Sequence, residues 1–551
     1  MSSFSLANIH SSKTFRIVET LLCFACLAAV IIFCFSLLKY SFYPVDEPYQ
    51  IMNSMDYLNS PLAPLTAILD HFTNSLCGYE YLKMKYVAFG YNILAVFAGC
   101  IYFYTHTKKL NLSLLLCSFS TLLFLISDMY NWIGWDRQTV LFTALCLVSF
   151  LYYLEKGNIW ILAITAFFAS VDCLCRIPNI AVFPIIACII LFKKNLSLKY
   201  RLRDIAIFLF ISAGLILMFI CAAYGSIGNY LLSVQKNLIP KHEAIYILFE
   251  YFLRFCSITL ISLQLFAIYL VSKKFCTKWY FTLLFVFIFS LILLYDIRFR
   301  KNQIFSPVEG LLISSIFCLF ISGWYRNFKE KGSLSIVFIT IFAFALLPTI
   351  GSNMALKKLL LIPFLPIIIF YSLPAINRWM KIVSVIIVAT FVLVPVFELK
   401  ENEVIHQTRN YTKRTAVFDF HPVQGVYANP KWASHVEEVR ADLAEYKDSK
   451  IIVAGSYIDR FFFEWIYDCR NEYLRHDYMD YNRFNEEKYV DYISNKIKDS
   501  KENITVLYLY EKYFWEESNN PYESKMSQML ESNMDLAIKK DKYAIFISKK
   551  N

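Results

Sequence analysis

The stretch "YPVDEPYQIMNSMDYLNSPLAPL", Tyr43–Leu65, decides how this chain is read. It follows an apolar run over about residues 18–40. That run is long enough to cross a bilayer, which takes roughly 20 apolar residues. It is too long for a signal-peptide core and lacks a clear small-residue cleavage site, so it reads as a retained first span. Asp46 and Glu47 therefore sit side by side where a span ends. After them come Ile51, Met52, Met55 and Leu58 at helical spacing, and "SPLAPLTAILDHF" then opens a second amphipathic segment with Ser60 as its expected cap. Neither segment is long enough to span. Two short helices along the membrane surface are expected, the first beginning at Pro48 with Asp46 as its cap and Glu47 in its first turn.

The rest of the chain supports that frame. Of 551 residues 58% are hydrophobic and 18% charged, and mean hydropathy is +0.47. A soluble domain carries roughly 25% charged residues. The apolar excess falls in long runs up to about residue 398, and the remaining C-terminal part has the composition of a soluble protein. The expected architecture is a mainly α polytopic bundle of about thirteen spans over 1–399, with a C-terminal α/β domain over 400–551. In that domain "NPKWASHVEEVRADLAEYK" has helical periodicity after an Asn-Pro start, while "KIIVAG", "NITVLYLYEKYF" and "DLAIKKDKYAIFISKK" read as strands. "VAGS" lacks a full phosphate-loop or dinucleotide pattern.

The formal net charge is +11, but Lys and Arg cluster in short loops between apolar runs, as in "KKNLSLKYRLRD". Membrane orientation explains that pattern, so nucleic acid is not an expected partner. With thirteen spans the basic loops share one side, the cytoplasmic one, together with the N-terminus. The acidic pair, "SDMYNWIGWDRQT", "DCLCRIPN", "GSNMALKK" and the C-terminal domain then share the outer side. "DIRFRKNQIF" falls there too, and its Arg298, Arg300 and Lys301 run against the trend. The 15 cysteines lie mostly inside apolar runs and behave as small apolar residues. No cysteine–histidine spacing resembles a zinc site.

An acidic pair just after the first span, surface helices behind it and an outer C-terminal domain together resemble the lipid-linked-sugar glycosyltransferases of the GT-C class. That class includes the protein O-mannosyltransferase (glycosyltransferase family 39-like) and lipid A aminoarabinose transferase families. The likeness covers roughly residues 15–398, mainly as architecture; its locally specific piece is the Asp46-Glu47 dipeptide and its loop. Asp128 and Asp136 stand where the class often has another acidic residue. The resemblance implies inverting transfer of a sugar from a polyprenyl-phosphate donor to an acceptor hydroxyl on a glycan, lipid or protein. Asp46 is then the first choice of base and Glu47 the second, one acting and the other positioning it or binding a divalent ion, magnesium or manganese, if one is needed. The leaving lipid phosphate needs cations at headgroup level, a condition met by Arg176, Arg298, Arg300, Lys301, Lys357 and Lys358. Each could equally be a side chain snorkelling to the headgroups. Trp135, with Trp132 and Tyr130, could stack on a sugar face or belong to the interfacial belt.

A transporter or flippase of lipid-linked oligosaccharide is the alternative of another class, but transporters often show repeats and mid-membrane charges, and here the charges concentrate at span ends. A polymerase or ligase of lipid-linked glycans shares the same signals. A scaffold would leave the acidic pair without a purpose. The tail's single cysteine and the lack of a retention signal point to a bacterial inner membrane, with the C-terminal domain in the periplasm.

Overall fold

The structure is a computed structural model that describes residues 13–40, 46–55, 63–127, 136–192, 197–237, five positions between 337 and 344, 358–372, 414–455, 457–469, 486–500, 502–509 and 521–549. Element labels run over these residues alone. The membrane part contains α1 (Lys13–Leu37), α2 (Asp46–Met55), α3 (Pro64–Leu76), α4 (Tyr81–Thr107), α5 (Leu110–Ser127), α6 (Asp136–Lys156), α7 (Ile159–Cys175), α8 (Val182–Leu191), α9 (Leu198–Tyr224), α10 (Ile227–Asn237) and α11 (Lys358–Ser372).

Among the described residues, four stretches are long and apolar enough to cross a membrane: Arg16–Tyr40, Tyr81–Thr107, Arg137–Lys156 and Leu198–Tyr224. Shorter apolar stretches lie in α5, α7, α8 and α11. The protein is an integral membrane protein. The runs expected near 258, 287, 316 and 390 lie outside the described residues, and the one near 342 is touched at five positions only. The two short runs split by "CRIPN" are α7 and α8. Arg176 ends α7 in extended backbone (φ −160°, ψ 116°), and a 3₁₀ turn over Ile177–Ala181 carries the chain into α8.

Helix α4 is the central post of the bundle. It packs against α5, α6 and α11 around a shared apolar core that includes Phe89, Val96 and Phe103. Its approach to α11 is close enough to require glycine: a Cβ on Gly99 would stand 2.1 Å from the carbonyl oxygen of Pro363.

Both helices expected along the membrane surface differ at their starts from the sequence expectation. Helix α2 begins at Asp46, two residues before Pro48, so Asp46 is its first residue rather than a cap outside it. An acidic residue at that end suits the helix dipole. Helix α3 begins at Pro64 with Ala63 at the cap position and no side-chain cap, so Ser60 does not cap it. Proline's fixed φ opens the helix there instead.

The chain past 414 forms a short β1–β2 pair (Ala416–Val417, Tyr427–Ala428), then α12 (Pro430–Leu443), β3 (Lys450–Gly455), α13 (Tyr457–Ile466), α14 (Glu486–Lys498), β4 (Ile504–Leu509), α15 (Pro521–Asn533), β5 (Met534–Lys539) and β6 (Tyr543–Ser548). Asn429 caps α12, its side chain accepting from the Lys431 N–H at 2.9 Å. The segment expected as one strand near 534–549 is the hairpin β5–β6. The four-stranded sheet runs β3-β4-β6-β5, with β3 and β4 parallel and the other pairs antiparallel.

Alternation along the strands gives this sheet two buried faces. Ile452, Ala454, Val506 and Phe546 face one core, shared with α14 and α15. Val453, Leu507, Leu509 and Ile545 face the other, shared with α12 and α13. That second core does not end with the domain. It continues into Ile51 and Met52 of α2 and Tyr81, Met84 and Ala88 of α4. The described cysteines are all free thiols.

Candidate functional site

The first turn of α2 places Glu47 between the helix and the start of α4, where it is fully buried. A carboxylate in that position must be paired. Tyr81 Oη donates to its Oε2 and Lys85 Nζ to its Oε1. Tyr81 and Lys85 lie four residues apart on α4, one turn above the other, which is why one carboxylate takes both. Lys85 is itself fully buried and lies 5.3 Å from the Tyr81 ring centroid. With both oxygens engaged, Glu47 is better placed to orient its neighbours than to receive a proton. Asp46 shares its helical turn, and its backbone is fixed with α2.

Helix α3 supplies a third carboxyl. Asp70 is buried and accepts a bond from Gln138 Nε2 on α6. Burial pushes Asp70 up to about 7, against the opposing pull of the Gln138 bond. Asp70, Gln138 and the buried Arg137 line a cavity of about 10 Å³, room for one water. Arg137 and Gln138 follow Asp136, the first residue of α6. Thus Asp136 belongs to the turn that reaches Asp70.

Side-chain bonds lock these helices together. Asn74 Nδ2 donates to Ser54 Oγ at 2.8 Å, and a His71 ring nitrogen lies 3.0 Å from Ser54 O, tying α3 to α2. Thr66 Oγ1 donates to Cys175 O at 3.0 Å, tying α3 to the end of α7. The next residue is Arg176, half-buried. Beneath it Asp172 accepts from Thr143 Oγ1 at 2.9 Å and from Asn179 Nδ2 at 2.9 Å, which holds the turn that presents Arg176.

The structure therefore brings Asp46, Glu47, Asp136 and Arg176 to one end of the bundle. Asp128, Trp135, Arg298, Arg300, Lys301 and Lys357 lie outside the described residues. Among the described residues no group of three or more His, Cys, Asp or Glu side chains could hold a metal ion.

No protein-family model matches the chain, and no curated protein matches it. Among solved structures it is similar to ArnT from Cupriavidus metallidurans in the apo state, at 13% identity and a TM-score of 0.49, over 95% of this chain and 97% of that one. It is also similar to ArnT from the same organism bound to undecaprenyl phosphate, at 11% identity and a TM-score of 0.47, over 97% and 98% of the two chains. At these values the likeness carries nothing about chemistry, and the site stands on its own residues.

Sequence reasoning missed Lys85, Asp70, Arg137 and Gln138. Lys85 was legible: it is a charge one turn inside an apolar helix, and such charges need a partner. Asp70 was not, because a surface helix is expected to carry its acids outward, whereas α3 turns this one inward.

Proposed function

We propose that the protein transfers a sugar, with inversion, from a polyprenyl-phosphate donor to an acceptor hydroxyl at the outer face of the membrane. The observation that carries this is the division of labour in the acidic pair: Glu47 is held at both oxygens by Tyr81 and Lys85, and Asp46 shares its turn at the end of a span. A base at that level meets an acceptor in water and a donor whose lipid tail stays in the bilayer.

In the proposed step Asp46 takes the proton of the acceptor hydroxyl as its oxygen bonds to the anomeric carbon. The bond from that carbon to the phosphate oxygen breaks, and the lipid phosphate leaves with the electron pair. Arg176 is proposed to neutralise it, joined there by Arg298, Arg300, Lys301 and Lys357. Asp136 and Asp128 are proposed to bind sugar hydroxyls, and Trp135 to stack on the ring. No step is routed through a metal ion. The membrane domain is taken as 1–399 and the outer C-terminal domain as 400–551, in a bacterial inner membrane with the N-terminus cytoplasmic.

The test replaces Asp46 by Asn and Glu47 by Gln, confirms membrane insertion, and measures transfer from a polyprenyl-phosphate sugar. Asp46→Asn is expected to lower kcat by about 10²–10⁴-fold, the usual worth of a positioned base. Glu47→Gln is expected to lose less. Full transfer by both variants would overturn the assignment. Reporter fusions at residues 50 and 450 are expected on the same, non-cytoplasmic side.

A further inference from the structure

Tyr81, which holds one oxygen of Glu47, is itself held by residues past 414. Tyr81 opens α4, and its N–H is one of the donors that a helix leaves without an intrahelical partner. Glu80 before it supplies no side-chain cap. The N–H donates instead to the carbonyl of Pro422, at 2.9 Å. The Tyr81 ring lies 6.2 Å from that of Trp465 on α13. The turn after Pro422 presses on the next residue of α4: Gly425 sits at φ +79°, and a Cβ on it would come within 3.3 Å of Leu82 Cδ1.

The same domain grips the chain on the other side of the acidic pair. Tyr427 of β2 packs its ring 4.5 Å from that of Tyr40, which closes the 3₁₀ turn after α1. Lys39 Nζ lies 4.9 Å from the Tyr427 ring centroid. Between these two grips lies α2, ten residues long. An isolated helix shorter than roughly 12–15 residues is marginal in water. Here Ile51 and Met52 share a core with Phe461, Phe462 and Trp465 of α13.

We propose that the C-terminal domain is the template that fixes the acidic pair, with Tyr81 and Trp465 as positioning residues for Glu47 and Tyr427 as the positioning residue for the end of α1 that leads to Asp46. As a statement about catalysis it rests on the sugar-transfer reading; as a statement about structure it does not. Without the template α2 loses the cover of its apolar face, and the first turn of α4 loses the acceptor for its leading N–H. A misplacement of about 1 Å in a catalytic group costs on the order of 10²-fold in rate.

The test uses the full chain in lipid nanodiscs and the variants Trp465→Ala, Trp465→Phe and Tyr427→Ala. Two quantities are read: hydrogen–deuterium exchange over residues 46–55, and sugar transfer from a polyprenyl-phosphate donor. Trp465→Ala is expected to speed exchange over 46–55 and to lower kcat by about 10²-fold, with KM for the donor held within about threefold. Trp465→Phe is expected to recover most of both. Should Trp465→Ala fail to fold, Tyr427→Ala and Trp465→Phe carry the comparison. Exchange over 46–55 at the wild-type rate in Trp465→Ala and Tyr427→Ala overturns the proposal, whatever happens to kcat. If no protein, wild type included, transfers sugar, the sugar-transfer reading fails and the exchange rates alone decide the template.

Discussion

Helix α4 carries the same device at both ends, in opposite surroundings. At the Asp46 end Tyr81 and Lys85, four residues apart, hold Glu47. At the far end Tyr102 and His106, again four residues apart, hold Glu155 of α6; Tyr102 Oη donates to one oxygen, and His106 Nε2 lies 2.8 Å from the other. Tyr371 of α11 joins this second cluster. The first pair is dry, both side chains being 0% exposed, while His106 and Glu155 are 21% and 31% exposed. The partner side chains differ accordingly, a lysine at the dry end and a histidine at the partly exposed one. A dry pair is costly to break because the surviving charge has no water to turn to. A wet pair is cheap to break because it has. Geometry is thus stored at the Asp46 end, and give is left at the other.

The largest effect should come from breaking the dry pair. Lys85→Met leaves Glu47 buried without its cation, a loss of about 3–5 kcal/mol in stability. Adding Glu47→Gln to it should restore much of that loss, since no bare charge remains. Thermal unfolding of the two variants and the double in nanodiscs checks this; a double variant no more stable than Lys85→Met would contradict the account of a dry pair.

Asp70 sharpens the comparison, since it is a dry carboxyl whose hydrogen-bond partner on α6 is the amide of Gln138. Its folded form prefers the proton up to about pH 7, well above the ordinary carboxylate range. The unfolded chain releases that proton near pH 4, so ionisation costs the folded state more than the unfolded one. Asp70's contribution is present below about pH 4 and is lost as pH rises towards 7. Glu464, raised to about 7 by burial against the opposing pull of Arg460, titrates in the same window. Unfolding free energies of wild type and Asp70→Asn between about pH 5 and 8 separate the two: that of the wild type should decline more, by about 1–3 kcal/mol. Parallel curves would show that Asp70 is not held dry.

The smallest effect belongs to the wet end. Glu155→Gln should cost under about 1 kcal/mol. A loss as large as that of Lys85→Met would erase the distinction between the two ends.

The sequence disclosed what local chemistry encodes. The Asn429-Pro430 start predicted α12, the β-branched run predicted β3, and Pro48 with two acids predicted a helix start within two residues of its observed place. It did not disclose what depends on distant packing. Glu47 reads locally as a second candidate base, and only the arrival of α4 shows its oxygens engaged. The inward turn of Asp70 depends on α6. Ser60 was the wrong cap because the proline four residues later opened the helix first. That the sheet's second core runs on into α2 and α4 depends on contacts between the two ends of the chain, and no local period records such contacts.

The two grips on the acidic pair also set a clock. Asp46 and Glu47 leave the ribosome well before Pro422, Tyr427 and Trp465. At about 5–20 residues per second, the roughly 400 residues between them take on the order of 20–80 s to synthesise. Through that interval the apolar face of α2 lacks its cover from α13. The site is finished only once those residues have been made, so a nascent chain already threaded through the bilayer is still not an assembled one.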